Sequence, residues 1–387
     1  MERLKRLTYK LRTLTTANER SSAGSNSTPL RLIRQSLPRY LKRNGFAFNP
    51  LSLFIIINGQ CNLFCRMCDI GQGDRSSMFY RNMINGDCDF DNFCLLMREV
   101  AVFKPFISIT STEPLLYPRI DDAIAVVKDM GMEMNITTNG TLLERHAESF
   151  VKLGLDKLTI SLDGPSEIHD TIRGVSGTFR RVMRGIDTLS RLKNVNGTDK
   201  PSIFINSVIL DLNIHHMDRF FQSLPMEHIR RVGLMPVVFL TQDLAQSHNE
   251  RFGRDYPATP TCLSGGIDLQ NIDVDLIRGK VEMLKDRYGN RLHLYFRNDA
   301  TYLKNYFRRP EVFLGTYHCV FPWFAAQVNA RGDLLGLTRC YATTFGNVFE
   351  HGFRAAWNGP KMRKFRMDLQ KYGSFPACSR CEGVLAH

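Results

Sequence analysis

No apolar stretch in the 387 residues approaches the ~20 that a membrane-spanning helix needs. The N-terminus also lacks the apolar core of a secretory signal, so the chain is expected to be cytoplasmic, at most peripheral to a membrane. Ten cysteines in that compartment point to metal or redox chemistry before disulfides. The Asn-x-Ser/Thr sequons at Asn26, Asn135, Asn139 and Asn196 then carry no meaning for glycosylation. Acidic residues are scarce in one place. Residues 1–45 hold eleven Lys/Arg against Glu2 and Glu19, so +9 of the net +13 sits in this arm. Leu4, Leu7, Leu11 and Leu14 share one helical face there, as do Leu30, Ile33, Leu37 and Leu41, with the flexible "SSAGSNSTP" between. Such an arm lies on an anionic membrane or grips an anionic substrate, or it is a pair of solvated helices packed on the domain.

From residue 51 apolar runs of strand length alternate with amphipathic stretches. The runs are "LSLFIII" (51–57), "FISIT" (106–110), "MNIT" (134–137), "LTISL" (158–162), "IFINSVI" (203–209) and "VGLMPVV" (232–238). Between them, Ile120, Ile124, Val127 and Met130 fall on one helical face ended by Gly131. A capping box, Thr141 to Glu144, opens a second helix, and Phe179, Val182, Ile186 and Leu189 mark a third. Continuous apolar strands between helices predict a parallel sheet covered on its outer side, here an incomplete barrel. Each early strand ends in a polar turn: "NGQCNLFCRMC", "STEP", "TTNG" and "SLDGP". Active sites of parallel α/β barrels lie at those strand ends. Residues 241–300 are less regular, with "TPTCLSGG" (259–266) as loop and 272–288 as helix. The expected division is a basic arm (1–45), a partial barrel (46–240), a connecting region (241–305) and a C-terminal domain (306–387).

What "CNLFCRMC" lacks is a fourth thiol. A structural zinc site wants four ligands, and a thioredoxin-like pair needs only Cys-x-x-Cys. A four-iron cluster held by three cysteines keeps one iron without a protein ligand. An open iron can take the amino and carboxylate groups of S-adenosyl-L-methionine (SAM), and an electron passed to the sulfonium releases a 5′-deoxyadenosyl radical.

At these residues the sequence resembles the radical SAM superfamily. "CNLFCRMC" has the family's cluster spacing, "STEP" (111–114) stands where Gly-Gly-Glu-Pro is usual, and "ITTNG" and "ISLDGPSEIHDTIRG" look like its third and fourth strand ends. The resemblance implies a partial (β/α)6 TIM-like barrel, an α/β fold, with a small C-terminal auxiliary iron–sulfur domain. It implies that Cys61, Cys65 and Cys68 hold the catalytic 4Fe-4S cluster and that Met67 faces the adenine. Thr112 and Glu113 would bind the methionine amino group, and Thr138 and Asn139 would line the pocket near ribose or substrate. Ser161 and Arg173 are candidates for the ribose and the SAM carboxylate, and Met235 for backbone support of the adenine. Ser111 and Thr112 depart from the family's two glycines, which permit close backbone approach. His169 is expected to be structural.

Cys319, Cys340, Cys378 and Cys381 form a second set, with "CSRC" near the end. This region resembles the SPASM/twitch extension in its one-cluster form, which implies a second, auxiliary 4Fe-4S cluster with all four ligands present. Zinc suits four thiolates as well. Of the three remaining cysteines, Cys88, Cys94 and Cys262, the last is the candidate hydrogen-atom donor, which would make the enzyme an epimerase. The resemblance implies an enzyme that abstracts a hydrogen atom from a carbohydrate-like small molecule or a peptide. The outcome is oxidation, epimerisation or bond formation, with flavodoxin or ferredoxin as electron donor. The rivals are the same chemistry on a lipid-linked substrate, and a zinc protein whose arm binds nucleic acid. Nucleic acid is disfavoured, because the basic residues are not interleaved with an aromatic platform.

Overall fold

The computed structural model describes residues 44–314, 319–336, 341 and 343–381. The basic arm, up to residue 43, lies outside the described residues, and so does Cys340. The strands are β1 (Ser52–Ile55), β2 (Phe106–Ile109), β3 (Met134–Thr138), β4 (Lys157–Ser161), β5 (Ser202–Ile209), β6 (Ile229–Pro236), β7 (Leu292–Leu294), β8 (Ala325–Val328), β9 (Asp333–Leu335) and β10 (Thr344–Asn347). They form one sheet in the order β10-β9-β8-β1-β2-β3-β4-β5-β6-β7. Pairing is parallel from β8 through β1 to β7 and antiparallel along β8-β9-β10. The six strands expected from the sequence are the first six. The connecting region adds β7 at one edge, and the C-terminal region joins the other edge at β1.

The helices are α1 (Met78–Met83), α2 (Phe90–Ala101), α3 (Ile120–Asp129), α4 (Leu143–Lys152), α5 (Ser166–Arg173), α6 (Thr178–Val195), α7 (Met217–Ser223), α8 (Gln242–Phe252), α9 (Val274–Tyr288), α10 (Ala300–Arg308), α11 (Phe321–Phe324), α12 (Val348–His351), α13 (Phe353–Trp357) and α14 (Pro360–Tyr372). Strand alternation decides which residues meet them. On β5 Ile203, Ile205, Ser207 and Ile209 are buried, while Phe204, Asn206 and Val208 are half-buried. The apolar side faces the helices: a Cβ on Gly140 would stand 3.0 Å from Ile160 of β4 and 3.1 Å from Val182 of α6. The opposite, concave side is polar. Ser108 and Thr110 hydroxyls lie 3.1 Å apart, and Asn135 Nδ2 donates to Thr137 Oγ1 (3.1 Å) while its Oδ1 accepts from Thr159 Oγ1 (2.9 Å). Burial of the helix side drives folding; on the other side the polar groups satisfy one another.

One expected cap is corrected. Helix α4 starts at an N-cap of Leu142 with no side-chain bond, so Thr141 and Glu144 form no capping box. Thr141 Oγ1 instead donates to Asn139 Oδ1 (2.7 Å) and accepts from Asn62 Nδ2 (2.9 Å), because the strand-end turn claims it first.

Two buried charges fix the frame. At the foot of β4, Asp156 accepts from Lys128 Nζ (2.5 Å), Lys200 Nζ (2.6 Å) and the Met134 N–H (3.0 Å). At the C-terminal end, the buried Arg380 donates to the carbonyls of Asn305 (2.7 Å), Tyr306 (2.7 Å), Arg309 (2.8 Å), Val312 (2.9 Å) and Ser379 (2.9 Å). It thereby covers the carbonyl end of α10, where a cation is favourable, and ties the terminal "CSRC" to the connecting region.

The Asp156 site gives a pH test. Burial pushes its carboxyl up, but the Lys128, Lys200 and Met134 bonds outweigh burial and hold it below the usual carboxylate range. A depressed folded-state value adds stability above the unfolded value, ~3.9, which is lost as pH falls through the folded value. Asp156→Asn should cost roughly 1–3 kcal/mol at neutral pH. In urea unfolding, the gap to the wild type should close as the pH drops below about 4. A gap that stays constant down to that pH would show that the charge on Asp156 does not matter.

Candidate functional site

The cluster loop leaves β1 and is tied down on three sides. Toward α5, Phe64 N–H donates to Arg173 O (3.0 Å) and Arg66 N–H to Ile172 O (3.0 Å). Within the loop, Cys65 O accepts from Cys68 N–H (3.2 Å) and Gln72 Nε2 (3.0 Å). Toward the connecting region, the fully buried Asp69 takes three bonds. Its Oδ1 accepts from Cys262 N–H (2.6 Å), and its Oδ2 accepts from Ser77 Oγ (2.5 Å) and Thr261 Oγ1 (2.6 Å).

The "STEP" segment at the end of β2 is stitched to the same loop. Ser111 Oγ accepts from the N–H groups of Ile57 (2.5 Å) and Asn58 (3.2 Å). Thr112 Oγ1 donates to Gln60 O and reaches Asn58 Oδ1 at 3.2 Å. Glu113 is fully buried. Its Oε1 accepts from Thr138 Oγ1 (2.6 Å) and Leu115 N–H (3.1 Å), and its Oε2 from Asn139 N–H (2.7 Å). Asn139 Nδ2 donates on to Asn62 Oδ1 (2.8 Å) in the cluster loop. Burial pushes the Glu113 carboxyl up, opposed by the Thr138, Asn139 and Leu115 bonds and by the Arg173 charge. Among the described residues no cationic side chain pairs with it directly. A buried carboxylate in that state suits an ammonium ligand.

Arg173, at the end of α5, lies between Asp163 and a thiol. Its Nη2 is 2.6 Å from Asp163 Oδ2, and its Nη1 is 3.6 Å from Cys65 Sγ. Burial pushes the Cys65 thiol up to about 12, opposed by the Arg173 charge. Asp163 is held in turn, its Oδ1 accepting from Val208 N–H (2.8 Å). His169 is fully buried, its Nδ1 accepting from Asp163 N–H (3.1 Å). Burial holds it well below the usual imidazole range, so it is neutral and structural.

Of the expected residues, then, the structure joins Thr112, Glu113, Thr138 and Asn139 in one network with the cluster loop and sets Arg173 against Cys65. Ser161 is the last residue of β4, in register with Asn206, which pairs with Gly233 and through it with His293. Met235 lies on β6 in register with Val208. Met67 is buried in the main core. Cys61 is exposed, and Cys68 is half-buried. Among the described residues no three His, Cys, Asp or Glu side chains gather tightly enough for one metal ion.

Cys262 is buried, with a left-handed φ of 64°, and its loop abuts the cluster loop: Arg66 Nε donates to Gly265 O (3.3 Å). At the C-terminal set, Cys319, Cys378 and Cys381 are all buried, and Cys381 N–H donates to Cys378 O (3.1 Å). Sequence reasoning missed Asn58, Asn62, Asp69, Ser77 and Thr261. The one local signal was a polar residue, Asn62, directly after Cys61.

Comparison with known proteins identifies two domains in the chain. The family model described as "Radical SAM superfamily" matches residues 55–224, and that described as "Iron-sulfur cluster-binding domain" (SPASM) matches residues 319–382. The AdoMet-dependent heme synthase of Methanosarcina barkeri is 30% identical over 42% of this chain, which spans only 43% of that protein. A tungsten-containing aldehyde ferredoxin oxidoreductase cofactor-modifying protein of Pyrococcus furiosus is 24% identical over 85% of this chain and 86% of its own length. Among solved structures, Streptococcus suis SuiB bound to precursor peptide SuiA superposes with a TM-score of 0.60 at 17% identity, covering 93% of this chain and 77% of that one. The chain thus carries a radical SAM domain and a C-terminal iron–sulfur cluster-binding domain, and it is an enzyme that works with SAM, a catalytic iron–sulfur cluster and an auxiliary cluster.

Proposed function

We propose that Cys61, Cys65 and Cys68 hold the catalytic cluster, that Glu113, Thr138 and Asn139 seat SAM beside it, and that the enzyme abstracts a hydrogen atom from a polar substrate. The observation that carries this is the network Glu113–Thr138–Asn139–Asn62, which fixes a buried carboxylate to the thiol loop itself. When bound, cluster and SAM supply a carbon-centred radical by one-electron cleavage of the sulfonium.

The chain's own residues set where that radical is formed. Glu113 receives the amino group of methionine, and its three donors keep the carboxylate from turning away. Arg173 takes the methionine carboxylate, and Asp163 fixes the guanidinium. The buried surroundings exclude water, which strengthens these charge contacts. Ser161 and Met235 line the same mouth. The concave face of Ser108, Thr110, Asn135, Thr137 and Thr159 offers hydroxyl and amide groups to a substrate. That lining favours a peptide or an alcohol-bearing small molecule over a hydrocarbon chain. A peptide is also what the solved neighbour SuiB holds. Cys319, Cys340, Cys378 and Cys381 hold the auxiliary cluster, and flavodoxin or ferredoxin supplies the first electron.

Anaerobic reconstitution tests the reading. Iron loading with broad absorption near ~400 nm, and 5′-deoxyadenosine formed from SAM and dithionite, are expected. A chain that binds about two zinc ions and no iron would sink it. Glu113→Gln should leave iron content unchanged and weaken SAM binding by roughly ten- to a hundredfold. That corresponds to loss of a charge-assisted bond worth about 1.5–3 kcal/mol. Equal SAM affinity in this variant would remove Glu113 from the site.

The outcome at the substrate has a second reading. Asp69 holds Cys262 against the cluster loop, and a thiol there can return a hydrogen atom to the substrate radical, inverting a carbon centre and leaving a thiyl radical that one electron from the flavodoxin or ferredoxin donor and a solvent proton restore. In heavy water the product would then carry one solvent deuteron, lost in Cys262→Ala. Product without deuterium in the wild type would rule out this role.

A further inference from the structure

The aromatic nest around the C-terminal thiols contains one hydroxyl aimed at sulfur. Tyr341 is buried. Its ring stacks on His248 (centroids 5.5 Å apart) and packs against Tyr256 (5.9 Å), Phe365 (5.9 Å) and Phe375 (6.0 Å). Its carbonyl accepts from the buried Asn82 Nδ2 (2.8 Å). Its hydroxyl oxygen lies 2.9 Å from Cys378 Sγ. The neighbouring Tyr256 spends its hydroxyl elsewhere, donating to Asp368 Oδ2 (2.6 Å).

Backbone and ring therefore fix the Tyr341 hydroxyl with little freedom to turn. The backbone anchor also leads to the other thiol loop. Asn82 lies on α1, whose N-cap Ser77 is bonded to Asp69, the residue after Cys68. A ligand thiolate carries no proton, so in the loaded protein the tyrosine must be the donor. Hydrogen bonds to ligand sulfur stabilise the reduced, more negative cluster and raise its reduction potential.

We propose that Tyr341 donates a hydrogen bond to Cys378 Sγ and raises the reduction potential of the auxiliary cluster, making it a better electron acceptor. This rests on the reading that Cys378 is an iron ligand. Tyr341 is a positioning residue here, acting on the cluster through its ligand.

The test is a redox titration of the reconstituted full chain, followed by electron paramagnetic resonance, for wild type, Tyr341→Phe and Tyr256→Phe. Phenylalanine keeps the ring in its nest in both variants. Tyr341→Phe should move the auxiliary midpoint to a more negative potential, with iron content and the catalytic cluster's midpoint unchanged. Tyr256→Phe should move neither. Resonance Raman gives an independent readout: an iron–sulfur stretch of the wild type should shift in heavy water, and Tyr341→Phe should lose that shift. An auxiliary midpoint unchanged in Tyr341→Phe, or an equal shift in Tyr256→Phe, would overturn the proposal. Zinc instead of iron in the C-terminal set of the wild type is a different failure. It would remove Cys378 as an iron ligand, and the proposal with it, while leaving the catalytic site's reading intact.

Discussion

The carboxylate of Asp69 is the contact on which the site depends. It is fully buried, and three donors from two other parts of the chain meet it: Ser77, Thr261 and the Cys262 amide. A buried carboxylate without such partners would be costly, so each of the three segments is held by the demand to satisfy it. The loop that carries the thiols cannot close on itself, since it lacks a fourth cysteine. Asp69 supplies from outside the rigidity that a fourth ligand would have given. It also brings the connecting region, with Cys262, to the open end of the barrel.

The departure of Ser111 and Thr112 from the family's glycines has a physical account of the same kind. Glycine permits close approach of backbone to ligand. Here the two hydroxyls bind the end of β1 and the start of the thiol loop instead, through Ile57, Asn58 and Gln60. Asn58 closes the circuit, its Nδ2 donating to Glu113 O (2.9 Å). The side chains that replace glycine therefore point back into the scaffold, beside the buried carboxylate of Glu113.

Much of this frame is legible in the amino-acid sequence. The six strands, their polar ends and the thiol loop follow from local pattern, because strand runs and strand-end turns are short-range features, whereas Glu113, Thr138, Asn139 and Arg173 are singled out by the family resemblance of their motifs. Asp69 is not legible, since its partner Thr261 lies 192 residues away and nothing in "MCDI" announces it. Thr141 misleads in the other direction. Thr-x-x-Glu reads as a capping box, but the tertiary demand of Asn139 and Asn62 outweighs a cap worth about 1 kcal/mol. The pairings of β7 with β6 and of β8 with β1 are hidden because they join segments far apart in the chain, which no local pattern records.

The two thiol sets differ in what their nearby arginines do, and this bears on how each is used. Arg173 is held by a single carboxylate, Asp163, and keeps part of its guanidinium beside Cys65. Its positive charge thus lies beside that thiol. Arg380 lies between Cys378 and Cys381 in sequence, yet its Nε, Nη1 and Nη2 all bond backbone carbonyls around the end of α10. Its charge is spent on a helix terminus. Among the described residues, Cys378 meets a neutral hydroxyl, that of Tyr341, together with the Phe375 backbone. A full charge beside a sulfur favours binding of anions as well as reduction, whereas a neutral donor acts on the ligand alone.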